Sequence, residues 1–119
     1  MDKNSSILIV DDDISTLVII KGLLKVLGYD NITSVLDATS ALELCSTKQF
    51  DIIITDIVMP NMDGFQFIDQ LKTKPIIIIV SGYDIGEEKS KINYFIPKPI
   101  SKRQFDKVIR EIEKNEKEN

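Results

Sequence analysis

The chain has 119 residues, 43% hydrophobic and 29% charged, the profile of one soluble globular domain with an ordinary core. A net charge of −4 argues against general nucleic-acid binding. The absence of histidine excludes imidazole catalysis, imidazole metal ligands and a phosphohistidine on this chain, and the single Cys45 excludes an internal disulfide.

Met1 to Ser6 is polar and lacks the apolar segment of a signal peptide, and no apolar run reaches the roughly 18 residues of a membrane span. A reducing cytoplasm is the expected setting. Ile7 to Val10 reads as a first strand, ending on Asp11-Asp12-Asp13. A helix is predicted over Ile14 to Leu27, closed by Gly28. Ile19, Ile20, Leu23, Leu24, Val26 and Leu27 share the face expected to meet the sheet. Ile14 and Val18 fall on the water side, with Leu17 at the border. Ile32 to Val35 is a short second strand, and Asp37 is placed to cap a helix over Ala38 to Lys48, where Cys45 reads as a core thiol.

Ile52 to Thr55 is apolar and β-branched, ends on Asp56 and passes into the turn Met59-Pro60-Asn61-Met62-Asp63-Gly64. Such a run reads as a strand buried on both faces. Gly64 to Lys72 is a third predicted helix, and Asp63-Gly64 is read as the turn leading into it. Ile76 to Val80 is a fourth strand, finishing on Ser81-Gly82. From Tyr83 to Asn93 only Glu87 to Ile92 has room for a turn or two of helix. Tyr94 to Ile96 runs into Pro97-Lys98-Pro99. Pro97 cannot donate to a ladder, so its strand belongs at a sheet edge. Ser101 and Gln104 form a capping box for a last helix with Phe105, Val108, Ile109 and Ile112 at core spacing. Its charged end, Glu113 to Asn119, is expected to fray. Strands alternating with helices predict a doubly wound parallel α/β sheet of five strands in one domain.

In a parallel sheet all strand C-termini open on one side, which gathers Asp11, Asp12, Asp56, Ser81 and Lys98. Three carboxylates at one place call for a cation, and an all-oxygen set suits Mg²⁺ when a phosphate shares the site. Lys98 and Ser81 add an ammonium and a hydroxyl for phosphoryl oxygens. Asp56 is placed to act as a nucleophile forming an acyl phosphate. The bland readings are a solvated cap for Asp11 to Asp13, a turn residue for Ser81 and ordinary core for Phe95. Asp13 itself reads as a cap.

Val10-Asp11-Asp12, Asp56 with Met59 to Gly64, Ser81 after its apolar run, and Lys98-Pro99 resemble the receiver domain of two-component response regulators, over about residues 6 to 115 of a single domain, 1 to 119. The resemblance implies the flavodoxin-like strand order 2-1-3-4-5. It implies Asp56 as the residue phosphorylated, from the phosphohistidine of a histidine kinase or histidine phosphotransfer protein. It implies Mg²⁺ on Asp12, Asp56 and the Val58 carbonyl, with Asp11 assisting, Lys98 pairing with the phosphoryl group, and a cis Lys98–Pro99 bond. Ser81 and Phe95 would be the switch, and output would be the binding of a downstream protein.

Three features depart from the pattern. Ser81 and Lys98 are only 17 positions apart, so the fourth helix is expected to be stunted. Phe95 stands where tyrosine is common, and Pro97 precedes the lysine. Val58 and Tyr83, each two residues past a site residue, are expected to hinder water and prolong the phosphorylated state. Ile14, Leu17 and Val18 are candidates for docking the donor helix. The competing readings are a haloacid-dehalogenase-like phosphatase, for which Asp11 and Asp13 supply a D-x-D, and a phosphorylation-independent interaction module.

Overall fold

The computed structural model describes residues 1–118, so Asn119 lies outside the described residues. Five parallel strands form one sheet in the order β2-β1-β3-β4-β5. They are β1 (Ile7–Val10), β2 (Ile32–Val35), β3 (Ile52–Thr55), β4 (Ile76–Ser81) and β5 (Tyr94–Pro97). The connecting helices are α1 (Ile14–Val26), α2 (Ala38–Thr47) and α3 (Gly64–Asp69), and α4 (Lys102–Glu118) follows β5. A 3-10 helix, Gly86–Lys91, occupies the fourth crossover and buries none of its residues. The stunting expected there is therefore present.

Because successive strand residues point to opposite faces, each apolar strand feeds two cores. Ile7, Ile9, Ile52, Ile54, Ile78 and Val80 pack with Leu17, Ile20 and Leu24 of α1 and with Phe105, Ile109 and Ile112 of α4. Leu8, Val10, Ile53, Ile77 and Ile79 pack with Ala38 and Ala41 of α2, Phe67 of α3, Phe50 and Met59. Each of the larger apolar side chains contributes about 1.5–3 kcal/mol of burial. Cys45 packs at the edge of the second cluster, where desolvation raises its pKa. That agrees with a core thiol.

The face predicted for α1 needs correction. Leu17 is buried at 8% exposure, whereas Ile19 and Val26 stand 48% and 74% exposed. α1 shares its side of the sheet with α4: Leu17, Ile20 and Leu24 are buried there, Leu23 and Leu27 pack half-buried beside them as predicted, and Ile19 and Val26 are left in water. Leu17 thus belongs to the core and drops out of the docking patch.

Several boundaries also move. α3 ends at Asp69, with Gln70 as its C-cap, three residues short of Lys72. α2 ends at Thr47, because Lys48 is already extended. α1 gives way at Leu27, and Gly28 follows with φ +96°. α4 continues to Glu118, contrary to the expected fraying from Glu113. Its end is tied down: Glu113 accepts from Lys3 at 3.1 Å and from the Tyr29 hydroxyl, and Asn115 donates to the Tyr94 hydroxyl at 2.8 Å. Pro97 does sit on an edge strand, opposite Ser81 of β4.

Candidate functional site

The site is built from strand ends that stop level with one another. Val10 is in register with Thr55, Thr55 with Ile79, and Ser81 with Pro97. The next residues along the chain, Asp11, Asp56 and Lys98, therefore reach the same end of the sheet. Backbone bonds hold them there: the Asp56 amide donates to the Val10 carbonyl at 3.0 Å, and the Lys98 amide to the Ser81 carbonyl at 2.9 Å.

Lys98 is the hub. Its ammonium lies 2.9 Å from Asp56 Oδ2 and 3.0 Å from Asp11 Oδ2. Burial alone would lower the Lys98 pKa, but its hydrogen bonds and charge interactions with Asp56 and Asp11 outweigh that and raise it. Asp11 is almost wholly buried, and that burial raises its pKa although the Asp13 amide and Lys98 pull the other way. The second Asp56 oxygen, Oδ1, accepts from the Ile57 amide at 2.7 Å. Asp12 is exposed and completes the group: one oxygen from each of Asp11, Asp12 and Asp56 lies within 4.8 Å of the others. Three carboxylate oxygens without nitrogen or sulfur form a donor set that fits a hard divalent cation.

Ser81 is fully buried, and its hydroxyl accepts from the Tyr83 amide at 3.1 Å. Phe95 is half-buried against the second core cluster. Val58, Tyr83, Ile14 and Val18 are all exposed. The Lys98–Pro99 peptide is cis, as the resemblance implied. Asp13 caps α1, accepting from the Ser15 amide at 3.0 Å and from the hydroxyls of Ser15 and Thr16. Those bonds also lower its pKa. With its carboxylate turned to the helix start, Asp13 is poorly placed for the D-x-D of a dehalogenase-like phosphatase.

The loop after Asp56 carries positioning that the sequence reading passed over. Asn61 has φ 71°, a left-handed conformation that asparagine tolerates better than most residues. Asp63 and Gln66 form a full capping box at α3, visible in the sequence as an Asp three positions before a Gln. Gly64 donates to the Ile57 carbonyl at 2.8 Å. A Cβ on Gly64 would lie 2.3 Å from the Asp56 carbonyl oxygen. The glycine thus lets α3 begin directly against the backbone of the central acid, a close approach with no signal in the local sequence.

Residues 7–110 match the family described as the response regulator receiver domain. The chain is a response-regulator receiver domain. Chemotaxis protein CheY-3 of Vibrio cholerae is 31% identical to this receiver over 123 residues, spanning 92% of this chain and 95% of its own. A CheY-like receiver structure from Methanospirillum hungatei has a TM-score of 0.82 at 27% identity, covering 98% of this chain and 99% of its own. The receiver domain of the Pseudomonas aeruginosa sensor histidine kinase PA1611 shares the fold at a TM-score of 0.76 and 21% identity, over 91% of this chain and 96% of its own. That structure has a magnesium ion coordinated in its active-site cleft. Among the described residues of the present receiver, no helix is long and apolar enough to cross a membrane.

Proposed function

We propose that this receiver takes a phosphoryl group onto Asp56 from the phosphohistidine of a histidine kinase or histidine phosphotransfer protein, in a Mg²⁺-dependent reaction. The observation that carries this is the Asp56 carboxylate itself. It stands at the end of the central strand, held between the Ile57 amide and the Lys98 ammonium, beside Asp11 and Asp12.

An Asp56 oxygen attacks phosphorus as the phosphorus–nitrogen bond to the donor imidazole breaks. The bonding electron pair returns to that nitrogen, and an acyl phosphate forms on Asp56. The hydrogen bonds that hold the carboxylate reduce the orientational freedom lost on the way to in-line attack. Asp12, Asp56 and the Val58 carbonyl would hold Mg²⁺, with Asp11 assisting. When bound, such an ion would supply positive charge to offset that on the phosphoryl oxygens. Lys98 exchanges its Asp56 contact for a phosphoryl oxygen, and Ser81 leaves the Tyr83 amide to donate to another. Phe95 follows Ser81, so new charge at Asp56 biases a two-state element on β5.

Ile14 and Val18, exposed on α1 just beyond the acid cluster, receive the donor helix. Val58 and Tyr83 restrict access of water and lengthen the life of the acyl phosphate. Output is the binding of a downstream protein. Because the donor draws its phosphoryl group from ATP, the reading sets the protein in the cytoplasm.

The deciding experiment is intact mass after incubation with acetyl phosphate and Mg²⁺. One phosphoryl group is expected on the wild type, and none on Asp56→Asn or without Mg²⁺. No adduct on the wild type under any of these conditions, including with a phosphorylated histidine donor, would favour a phosphorylation-independent module.

A further inference from the structure

The outward face of α4 carries a charge pattern that the phosphoacceptor site does not use. Arg103, Lys107, Arg110 and Lys114 recur at steps of four, three and four, and all four are exposed. At 3.6 residues per turn they fall within an arc of about 60° and run for about 17 Å along the axis. That line lies opposite Phe105, Ile109 and Ile112, which face the core. The acids of α4 are engaged off the line: Asp106 with Lys102, and Glu113 with Lys3 and the Tyr29 hydroxyl. Among the described residues, no carboxylate makes an ion pair with Arg103, Lys107 or Arg110, whereas Lys3 and Lys102 each hold one and Lys91 and Lys98 each hold two. By the same helical spacing, Glu111 and Glu118 border the line.

Away from this line the molecule is strongly acidic. The remaining eleven of its 15 basic residues are set against 19 acidic ones. A broad polyanion, whether duplex DNA or a charged membrane, would bring that negative surface within a Debye length of about 8–10 Å of itself. A narrow acidic segment of two or three helical turns matches the length of the line and stays over it. α4 is also a firm platform, since Asn115 ties it to β5 through Tyr94.

We propose that the Arg103, Lys107, Arg110 and Lys114 face of α4 docks a short acidic segment of a partner protein. Having no apolar anchor, the contact is weak, fast and salt-sensitive. It stands independently of the phosphoacceptor reading.

The test is fluorescence anisotropy with a labelled 12-residue glutamate-rich helical peptide and its glutamine-substituted twin, at 50 and 300 mM salt. Two variants remove the same charge from the full chain: R103Q/K107Q/R110Q on the line and K25Q/K72Q/K74Q away from it. The wild type and the second variant should bind the acidic peptide, the first about tenfold more weakly, and none should bind the twin. R103E/K107E/R110E should instead capture a lysine-rich peptide. Equal loss in both glutamine variants, no binding at low salt, or tighter binding of duplex DNA or phosphatidylserine vesicles through the same residues would each overturn the proposal. Intact mass on the same samples separates the two readings. An Asp56 adduct without line-dependent binding rejects the docking face alone, and line-dependent binding without an adduct rejects the phosphoacceptor alone.

Discussion

Gly64→Ala isolates the close packing behind Asp56. The added Cβ would stand 2.3 Å from the Asp56 carbonyl oxygen, 3.1 Å from Ile57 Cα and 3.2 Å from the Asp56 carbonyl carbon. All three are backbone atoms, so no side chain can swing aside. Restoring ordinary contact requires α3 and the end of β3 to separate by about 1 Å, and overpacking of this kind costs about 1–3 kcal/mol. Alanine returns up to about 1 kcal/mol through lower unfolded-chain entropy, so the net loss is expected at about 1–2 kcal/mol. The chemical effect should be larger, because a misplacement of about 1 Å can slow a positioned reaction about a hundredfold. Urea denaturation gives the stability, and the rate of adduct formation from acetyl phosphate gives the chemistry. Gly22→Ala is the internal reference. It lies within α1 with nothing within 4 Å of its added Cβ, so it should stabilise by about 0.5–1 kcal/mol and leave the rate unchanged. A Gly64→Ala protein as stable and as reactive as Gly22→Ala would refute the close-packing account.

Lys98→Met removes the cation between Asp11 and Asp56, and should cost about 1–3 kcal/mol in urea denaturation. Millimolar Mg²⁺ should recover part of that loss, and indifference to Mg²⁺ would contradict the cation fit of the cluster. Glu113→Gln tests pH linkage. Burial alone would raise the Glu113 pKa, but the Tyr29 hydroxyl and Lys3 bring it below its ordinary 4.5. A lowered folded pKa contributes stability that is full above the unfolded value and is lost as pH falls through the folded one. The wild type should therefore exceed Glu113→Gln at pH 7, with the gap closing below about pH 4.5 in thermal melts. Phosphorylated wild type should persist for hours in Mg²⁺, with Val58→Ala/Tyr83→Ala shorter-lived by mass spectrometry; a wild-type half-life of seconds would contradict the shielding role. Val18→Glu should slow transfer from a histidine donor and leave acetyl phosphate labelling unchanged, and equal slowing of both would count against docking at α1.

Much of this molecule was legible in one dimension. Strands buried on both faces announce themselves as unbroken runs such as Ile52-Ile53-Ile54, because neither side of the chain meets water. Parallel pairing then carries each strand-terminal residue to one edge, so Asp11, Asp56 and Lys98 can be grouped before any distance is known. Pro97 marks the edge strand because it lacks an amide proton, and the helix caps Asp13 and Asp37 are local chemistry.

Tertiary structure decided what depends on neighbours distant in sequence. Leu17 is core and Ile19 is not, because α4 takes part of the face that a lone amphipathic α1 would cover. The charged end of α4 stays helical, since Lys3, Tyr29 and Tyr94 supply partners that its own sequence does not contain. Gly64 is required by a backbone eight positions earlier, folded against it only once β3 and α3 are packed. The Lys98 ammonium meets two carboxylates 87 and 42 residues away, and that convergence sets the opposing effects of burial and pairing on its pKa. Sequence records the preferences of each segment, whereas contact and desolvation belong to pairs of segments and exist only after folding.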